Sequence, residues 1–263
     1  MGGLTVLAAL CQHLPTEDFI YLGDTARLPY GTKSAATVGR YAVQAANVLV
    51  QRGVKALVVA CNTASATALD VLAKEFVPLP VFGVVEPGAA AASVVADASG
   101  VAVLATESTI AGGAYQRALL AQQPALQVLG RPCPLWVTLA EQGNLVPALA
   151  DAILLDGVAG LVKTAEIPDV PSTLLLGCAH SPISAAQLKQ LLGEGVRVID
   201  SAQTTAATVT ETLQAQNLVA DVNADADGGG NVVFMATDGV QRFQRVGAVF
   251  LGGALPNIEL VDL

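Results

Sequence analysis

Short runs of aliphatic and β-branched residues alternate along this chain with longer stretches in which apolar positions recur at helical spacing. The runs at residues 18–22, 55–60, 81–85, 101–105, 126–129, 173–176, 196–199 and 232–235 predict strands. Between most of them the pattern is helical. Residues 34–51 are the clearest case, with Val38, Tyr41, Ala45 and Val48 along one face and Gly53 as a stop. Strands separated by helices cannot pair as hairpins, because a parallel partner needs a crossover connection. The pattern therefore predicts an α/β fold with mainly parallel sheets, and the apolar strands suit sheets covered on both faces.

Two stretches of the chain echo each other. The strand at 55–60 runs into Cys61-Asn62-Thr63, and the strand at 173–176 runs through Gly177 into Cys178-Ala179-His180. Each is an apolar strand, a cysteine at its carboxyl end, a polar turn and then a helix, which suggests two lobes. The segment 221–231 contains three successive glycines and reads as a flexible surface loop without chemistry of its own.

Composition narrows the function classes. Of 263 residues, 53% are hydrophobic and 13% charged, so the chain can bury one large core or two smaller ones. A net charge of −9, from 22 acidic against 13 basic residues, argues against a surface that tracks nucleic-acid phosphates. No apolar run is long enough to predict a membrane span, and no basic segment leads into an apolar one as in a signal peptide. The four cysteines at 11, 61, 133 and 178 form no CxxC pair, and the histidines are His13 and His180, so the sequence predicts no metal site. Cysteines without a pairing pattern, in a chain without a secretion signal, predict the reducing cytoplasm.

Ligands of open α/β sheets bind beyond the carboxyl ends of the strands, where helix N-termini and loop amides face a crevice. Cys61 and Cys178 both fall there, and such a setting favours a thiolate. The plain alternative is that each is a small buried hydrophobe. Asn62 and Thr63 could orient a carboxylate or an ammonium, or simply cap the following helix. His180, two residues past Cys178, could exchange a proton with that thiol or be structural. Cys11 lies among Leu7, Leu10 and Leu14 and reads as core; Cys133, between two prolines, reads as an unreactive loop residue. The turn ending Pro29-Tyr30-Gly31 can offer amides and a phenol to a ligand. No glycine pattern matches a nucleotide-binding loop. Composition and spacing alone stop at a two-lobed α/β protein with a candidate thiol site.

The residues Gly23-Asp24-Thr25-Ala26-Arg27-Leu28-Pro29-Tyr30-Gly31, Ala60-Cys61-Asn62-Thr63-Ala64-Ser65-Ala66 and Val85-Glu86-Pro87-Gly88-Ala89 resemble the glutamate racemases. The resemblance continues through Ala105-Thr106-Glu107-Ser108-Thr109-Ile110, Cys133-Pro134-Leu135 with Glu141, Gly177-Cys178 with His180, and Ile199-Asp200-Ser201. It implies two Rossmann-like lobes with the active site in the cleft between them. Lobe one would comprise residues 1–90 plus 200–263, and lobe two residues 91–199. It also implies cofactor-independent inversion of the glutamate α-carbon. Cys61 and Cys178 would act on opposite faces, with His180 as a further catalytic residue. Tyr30, Gly31, Asn62, Thr63, Ala179 and His180 match substrate-binding positions, and Thr106, Thr109 and Glu141 match further pocket positions. The role implied is supply of D-glutamate for peptidoglycan in the cytoplasm, with glutamate as the small-molecule partner, a homodimer as the candidate assembly, and neither nucleic acid nor membrane.

Two departures stand out. Family members begin with a strand leading into Asp-Ser-Gly-Val-Gly-Gly-Leu-Thr-Val, whereas this sequence opens at Met1-Gly2-Gly3-Leu4-Thr5-Val6; the resemblance implies a further strand, with an Asp and a Ser, ahead of Met1. Ala179 stands where the family has a threonine. The rival readings are a racemase of aspartate or another amino acid, and a family member retained for binding, such as the restraint of DNA gyrase linked to some relatives.

Overall fold

The computed structural model describes residues 1–142, 147–159, 161, 171–178, 182–193, 195–220 and 230–263. Ala179, His180 and most of the glycine-rich segment at 221–231 lie outside the described residues. The chain opens with α1 (Leu4–His13) and β1 (Phe19–Gly23), followed by single 3-10 turns at Thr25–Arg27 and Tyr30–Thr32. Next come α2 (Ala35–Gln51), β2 (Leu57–Val59), α3 (Asn62–Glu75), β3 (Val81–Gly83) and α4 (Val85–Val95). The middle of the chain supplies β4 (Val101–Ala105), α5 (Glu107–Gly112), α6 (Ala114–Gln122), β5 (Val128–Pro132), α7 (Pro134–Gln142) and α8 (Pro147–Val158). It continues with β6 (Thr173–Gly177), α9 (Pro182–Leu192) and β7 (Arg197–Asp200). The last elements are α10 (Ser201–Ala215), β8 (Val232–Ala236), α11 (Val240–Leu251) and β9 (Ile258–Leu260).

The long helix α2 shows how local sequence sets an element's limits. Ser34 caps it, its hydroxyl accepting from the Thr37 amide at 3.3 Å, and Gly53 stops it in the left-handed region at φ 75°. Its most buried stripe is Val38, Ala42 and Ala46, rotated from the Val38–Tyr41–Ala45–Val48 face that spacing suggested. Small alanines let the helix approach the sheet closely, whereas Tyr41 turns aside and stacks under the Arg27 guanidinium, 4.1 Å from its ring centre.

All strand pairs are parallel. One sheet has the order β5-β4-β6-β7, a second β1-β8-β9, and a third pairs β2 with β3. The eight strands expected from the sequence are present within a few residues of their expected limits; β9 is an addition. The four-stranded sheet is covered on both faces, as continuous apolar strands require. Ala102 and Leu104 of β4 pack with Leu174 and Leu176 of β6, Trp136, Leu154 and Leu188 on one side. Val101, Val103 and Leu175 pack with Val85, Ala89, Tyr115 and Leu119 on the other. Cys133 lies in the connection between β5 and α7, as expected, and is buried in the first of these clusters; its thiol is pushed up to about 11 chiefly by that burial. Among the described residues no helix is long and apolar enough to cross a membrane.

β1 and β2 belong to different sheets, and each pairs on one edge only among the described residues. Ile20, Tyr21 and Leu22 of β1, with Leu57, Val58 and Val59 of β2, line the inner part of a cavity whose outer part contains both Cys61 and Cys178.

Leu175 is fully buried at the middle of β6, between β4 and β7. Leu175→Ala should lower the unfolding free energy by about 2–5 kcal/mol, through lost transfer energy and a residual cavity. Urea denaturation should show a lower midpoint at unchanged slope. A loss below about 1 kcal/mol would show that the helices α4 and α6 close over the gap, contrary to a sheet packed tightly on both faces.

Candidate active site

β2 delivers Cys61 to the start of α3. The cysteine is extended, with φ −120° and ψ 119°, and its carbonyl accepts from the Ser65 amide at 2.8 Å, so it is the residue on which the helix begins. The amides of Ala64 and Thr63 point at its sulfur, as does the Thr63 hydroxyl. Ser65 locks this turn in place: its hydroxyl donates to the Val59 carbonyl at 2.8 Å and accepts from the Val84 amide at 3.0 Å. The polar residues after the cysteine thus do capping and anchoring work, and they also line the cavity.

Cys178 directly follows β6. In the parallel register Gly177 lies beside Ala105 of β4, and Leu176 beside Asp200 of β7. The three strands therefore end together, and the residues that follow them, Thr106, Cys178 and Ser201, emerge along one edge of the sheet. Asp200 caps α10, accepting from the Ala202 amide at 2.8 Å, and burial raises its carboxyl pKa against that hydrogen bond. None of Cys11, Cys61, Cys133 and Cys178 is in a disulfide.

A cavity of about 450 Å³ joins the two cysteines. Of the residues singled out from the sequence, Tyr30, Gly31, Cys61, Asn62, Thr63, Thr106, Glu141 and Cys178 line it together. Thr109 does not. It stands fully buried behind the wall, in a triangle of hydroxyls with Thr63 and Thr106 at 2.9–3.3 Å. Its part is to hold the two lining threonines. Gly31 is needed for close approach: a Cβ there would come within 2.8 Å of the Thr106 side chain.

Tyr30 lines the cavity, but its hydroxyl donates to Asp24, which also binds Arg27 Nε at 2.7 Å and accepts from the Thr237 hydroxyl at 3.0 Å. Burial, reinforced by that hydrogen bond, raises the phenol's pKa, so Tyr30 stays protonated. Its O–H is committed to Asp24; toward a ligand it offers its ring and oxygen lone pairs. Glu141 of α7 receives Arg242 Nη2 of α11 at 3.1 Å, a link across the cavity mouth. Glu107, Val137 and Thr138 also line the cavity and carry no signal that sets them apart in the sequence. Among the described residues, no three His, Cys, Asp or Glu side chains converge as they would around a metal ion.

Cys61 is half-buried, and burial raises its thiol pKa above the ordinary value; the Ala64 and Thr63 amides, the Met1 amine and the Thr63 hydroxyl oppose the shift without reversing it.

The ends of β2 and β6 thus bring two thiols into one cavity. The chain belongs to the Asp/Glu/hydantoin racemase family, whose model matches residues 5–209. It is 43% identical to a glutamate racemase of Geobacter metallireducens, over the whole of this chain and 94% of that protein. Its fold superposes on the crystal structure of a glutamate racemase isoform from Bacillus anthracis with a TM-score of 0.90 at 34% identity, covering 100% of this chain and 94% of that one. The glutamate racemase of Francisella tularensis, solved in complex with D-glutamate, matches with a TM-score of 0.86 at 31% identity, over 99% and 94% of the two chains.

The raised pKa of Cys61 has a measurable consequence. Alkylation by iodoacetamide needs the thiolate. Because the folded thiol holds its proton above the ordinary value of 9.0, labelling of Cys61 should be slow at neutral pH and still be accelerating beyond pH 9. Peptide mass mapping across pH gives the profile site by site. A plateau reached below pH 8 would show that the helix-end amides outweigh burial.

Proposed function

We propose that this chain interconverts L- and D-glutamate by a two-base mechanism, with Cys61 and Cys178 as the proton-transferring groups. The observation that carries the reading is the pair of thiols at equivalent strand–helix junctions lining one cavity. The relatives named above supply the substrate.

Inversion requires the proton to leave one face of the α-carbon and another to arrive at the opposite face. One thiolate removes the α-proton, the intermediate carbanion is planar, and the second residue, still a thiol, delivers its proton from the other side. The sulfurs exchange roles in the reverse direction, so each turnover begins with one thiol and one thiolate. The amides of Thr63 and Ala64 stabilise the charge when it is on Cys61. Asn62, Thr63, Thr106 and the Tyr30–Gly31 turn form a polar wall able to orient carboxylate and ammonium groups. The scheme asks nothing of a cofactor, since the thiols are both acid and base.

The same reading assigns residues 1–90 and 200–263 to one lobe and 91–199 to the other, with His180 assisting Cys178 and Ala179 contributing its backbone amide to the substrate. It places the protein in the bacterial cytoplasm, making D-glutamate for peptidoglycan, as a homodimer.

Circular dichroism of L- and D-glutamate should show racemisation by the wild type, and Cys61→Ala or Cys178→Ala should each abolish it. Full turnover by either variant would remove the two-thiol mechanism. Turnover of aspartate in preference to glutamate would move the substrate assignment to the other amino acid in the family's name. Ala179→Thr should lower KM or raise kcat about ten- to a hundredfold by restoring one hydrogen bond to a charged group. No change in either would mean that the pocket is built around a different ligand.

A further inference from the structure

Behind the cavity wall lies a chain of polar groups that the mechanism above does not use. Asn62 Nδ2 is 2.7 Å from the Tyr115 hydroxyl and 3.4 Å from Ser201 Oγ, and Ser201 Oγ is 3.3 Å from the Leu176 carbonyl oxygen. All three side chains are buried, at 2%, 0% and 1% exposure. They come from three different places: Asn62 from the first turn of α3, directly after Cys61; Tyr115 from α6; and Ser201 from the start of α10. The Tyr115 ring also packs on the backbone before Cys178, since a Cβ on Gly177 would fall 2.7 Å from its Cε2.

The direction at one end is fixed. The Leu176 carbonyl can only accept, so Ser201 donates to it. With that proton used, Ser201 Oγ accepts from Asn62 Nδ2, as the Tyr115 phenol oxygen does at 2.7 Å, so the amide is held with its nitrogen toward the two hydroxyls. Burial keeps Tyr115 protonated, so the oxygen facing the amide is a neutral one. The consequence falls on the other half of the amide. Asn62 Oδ1 is left buried without a protein partner, on a residue that lines the cavity. A buried acceptor left unmade is costly, so a ligand donor is worth most there.

We infer that Tyr115, together with Ser201, is a positioning residue that presets the Asn62 amide to accept a hydrogen bond from the substrate's ammonium group. The inference rests on the glutamate reading, in which the ammonium is the donor the substrate carries; its two carboxylates can only accept. It resolves the choice, left open by sequence, between Asn62 as a carboxylate ligand and as an ammonium ligand. Discrimination follows from the same geometry. A dicarboxylate without the ammonium leaves Oδ1 unsatisfied whether or not the amide is held in place.

The experiment compares wild type with Tyr115→Phe, using glutamate racemisation and competitive inhibition by glutarate, which lacks the ammonium. The ring and its packing on Gly177 remain in the variant, while the 2.7 Å acceptor for Asn62 Nδ2 is lost. The kcat/KM for glutamate should fall about ten- to a hundredfold, as expected for weakening one hydrogen bond to a charged group, with the glutarate inhibition constant within about twofold of wild type. Equal weakening of both would show a general structural role and overturn the inference, as would unchanged kcat/KM. If Tyr115→Phe does not fold, Ser201→Ala keeps the phenol and removes only the second acceptor for the amide; it should show the same split between glutamate and glutarate, and the absence of that split overturns the inference. A wild type that does not racemise glutamate overturns the parent reading, and this inference with it.

Discussion

The arrangement of the site depends on the parallel register of β6 between β4 and β7. Parallel strands run in one direction, so their carboxyl ends share an edge, and each must be followed by a turn into a covering helix. With Gly177 level with Ala105 and Leu176 level with Asp200, the chain has no freedom over where Thr106, Cys178 and Ser201 emerge. A threonine that caps α5, a thiol and a serine that opens α10 are set side by side by backbone pairing alone. β2 brings Cys61, Asn62 and Thr63 to the same cavity by an equivalent strand-to-helix junction. The reactive groups therefore sit on rigid strand ends, and the adjustable parts are the side chains that orient them.

Two opposed effects act on Cys61. Burial penalises the thiolate, and helix-end amides favour it; burial wins. A depressed pKa would suit a nucleophile, but the two-thiol reading proposed above has a different need. In it each half-reaction uses one group as base and its counterpart as acid, and a group with a very low pKa would be a poor proton donor in the return direction. Moderate stabilisation by amides, set against desolvation, suits Cys61 to both roles in that scheme.

Most of the architecture could be read from the sequence because apolar strands and helical stripes carry strong periodic signals. β9 could not: Ile258–Leu260 is three residues long, mostly exposed, and too short for alternation to show. Cys133 does lie in a connection, between β5 and α7, but flanking prolines say nothing of its burial, which comes from packing against the four-stranded sheet. The site residues were visible as motifs, but their division of labour was not. Nothing in the sequence says that Thr109 stands behind the wall, or that the Tyr30 hydroxyl is committed to Asp24. Tyr115 carried one weak signal. On the buried face of α6, formed by Ala114, Tyr115, Ala118 and Leu119, it is the member with a hydroxyl, and a buried phenol must find a partner. The identity of that partner, 53 residues away in Asn62, is a fact of tertiary packing.

Two sets of polar contacts of very different strength join elements around the cavity. Arg242 of α11 reaches Glu141 of α7 with half of the arginine side chain in solvent. Screening and side-chain entropy reduce such a pair to about 0–1 kcal/mol. Asn62, Tyr115 and Ser201 are sealed from water, and separating them would strand several polar groups, each at a cost of about 1–3 kcal/mol. Between α7 and α11 the ion pair is backed by apolar packing, since Ala140 shares a buried cluster with Phe243, Val246 and Phe250. Buried polar bonding therefore ties α3, α6 and α10 together beside the turn that carries Cys61, whereas apolar contact does most to join α7 to α11.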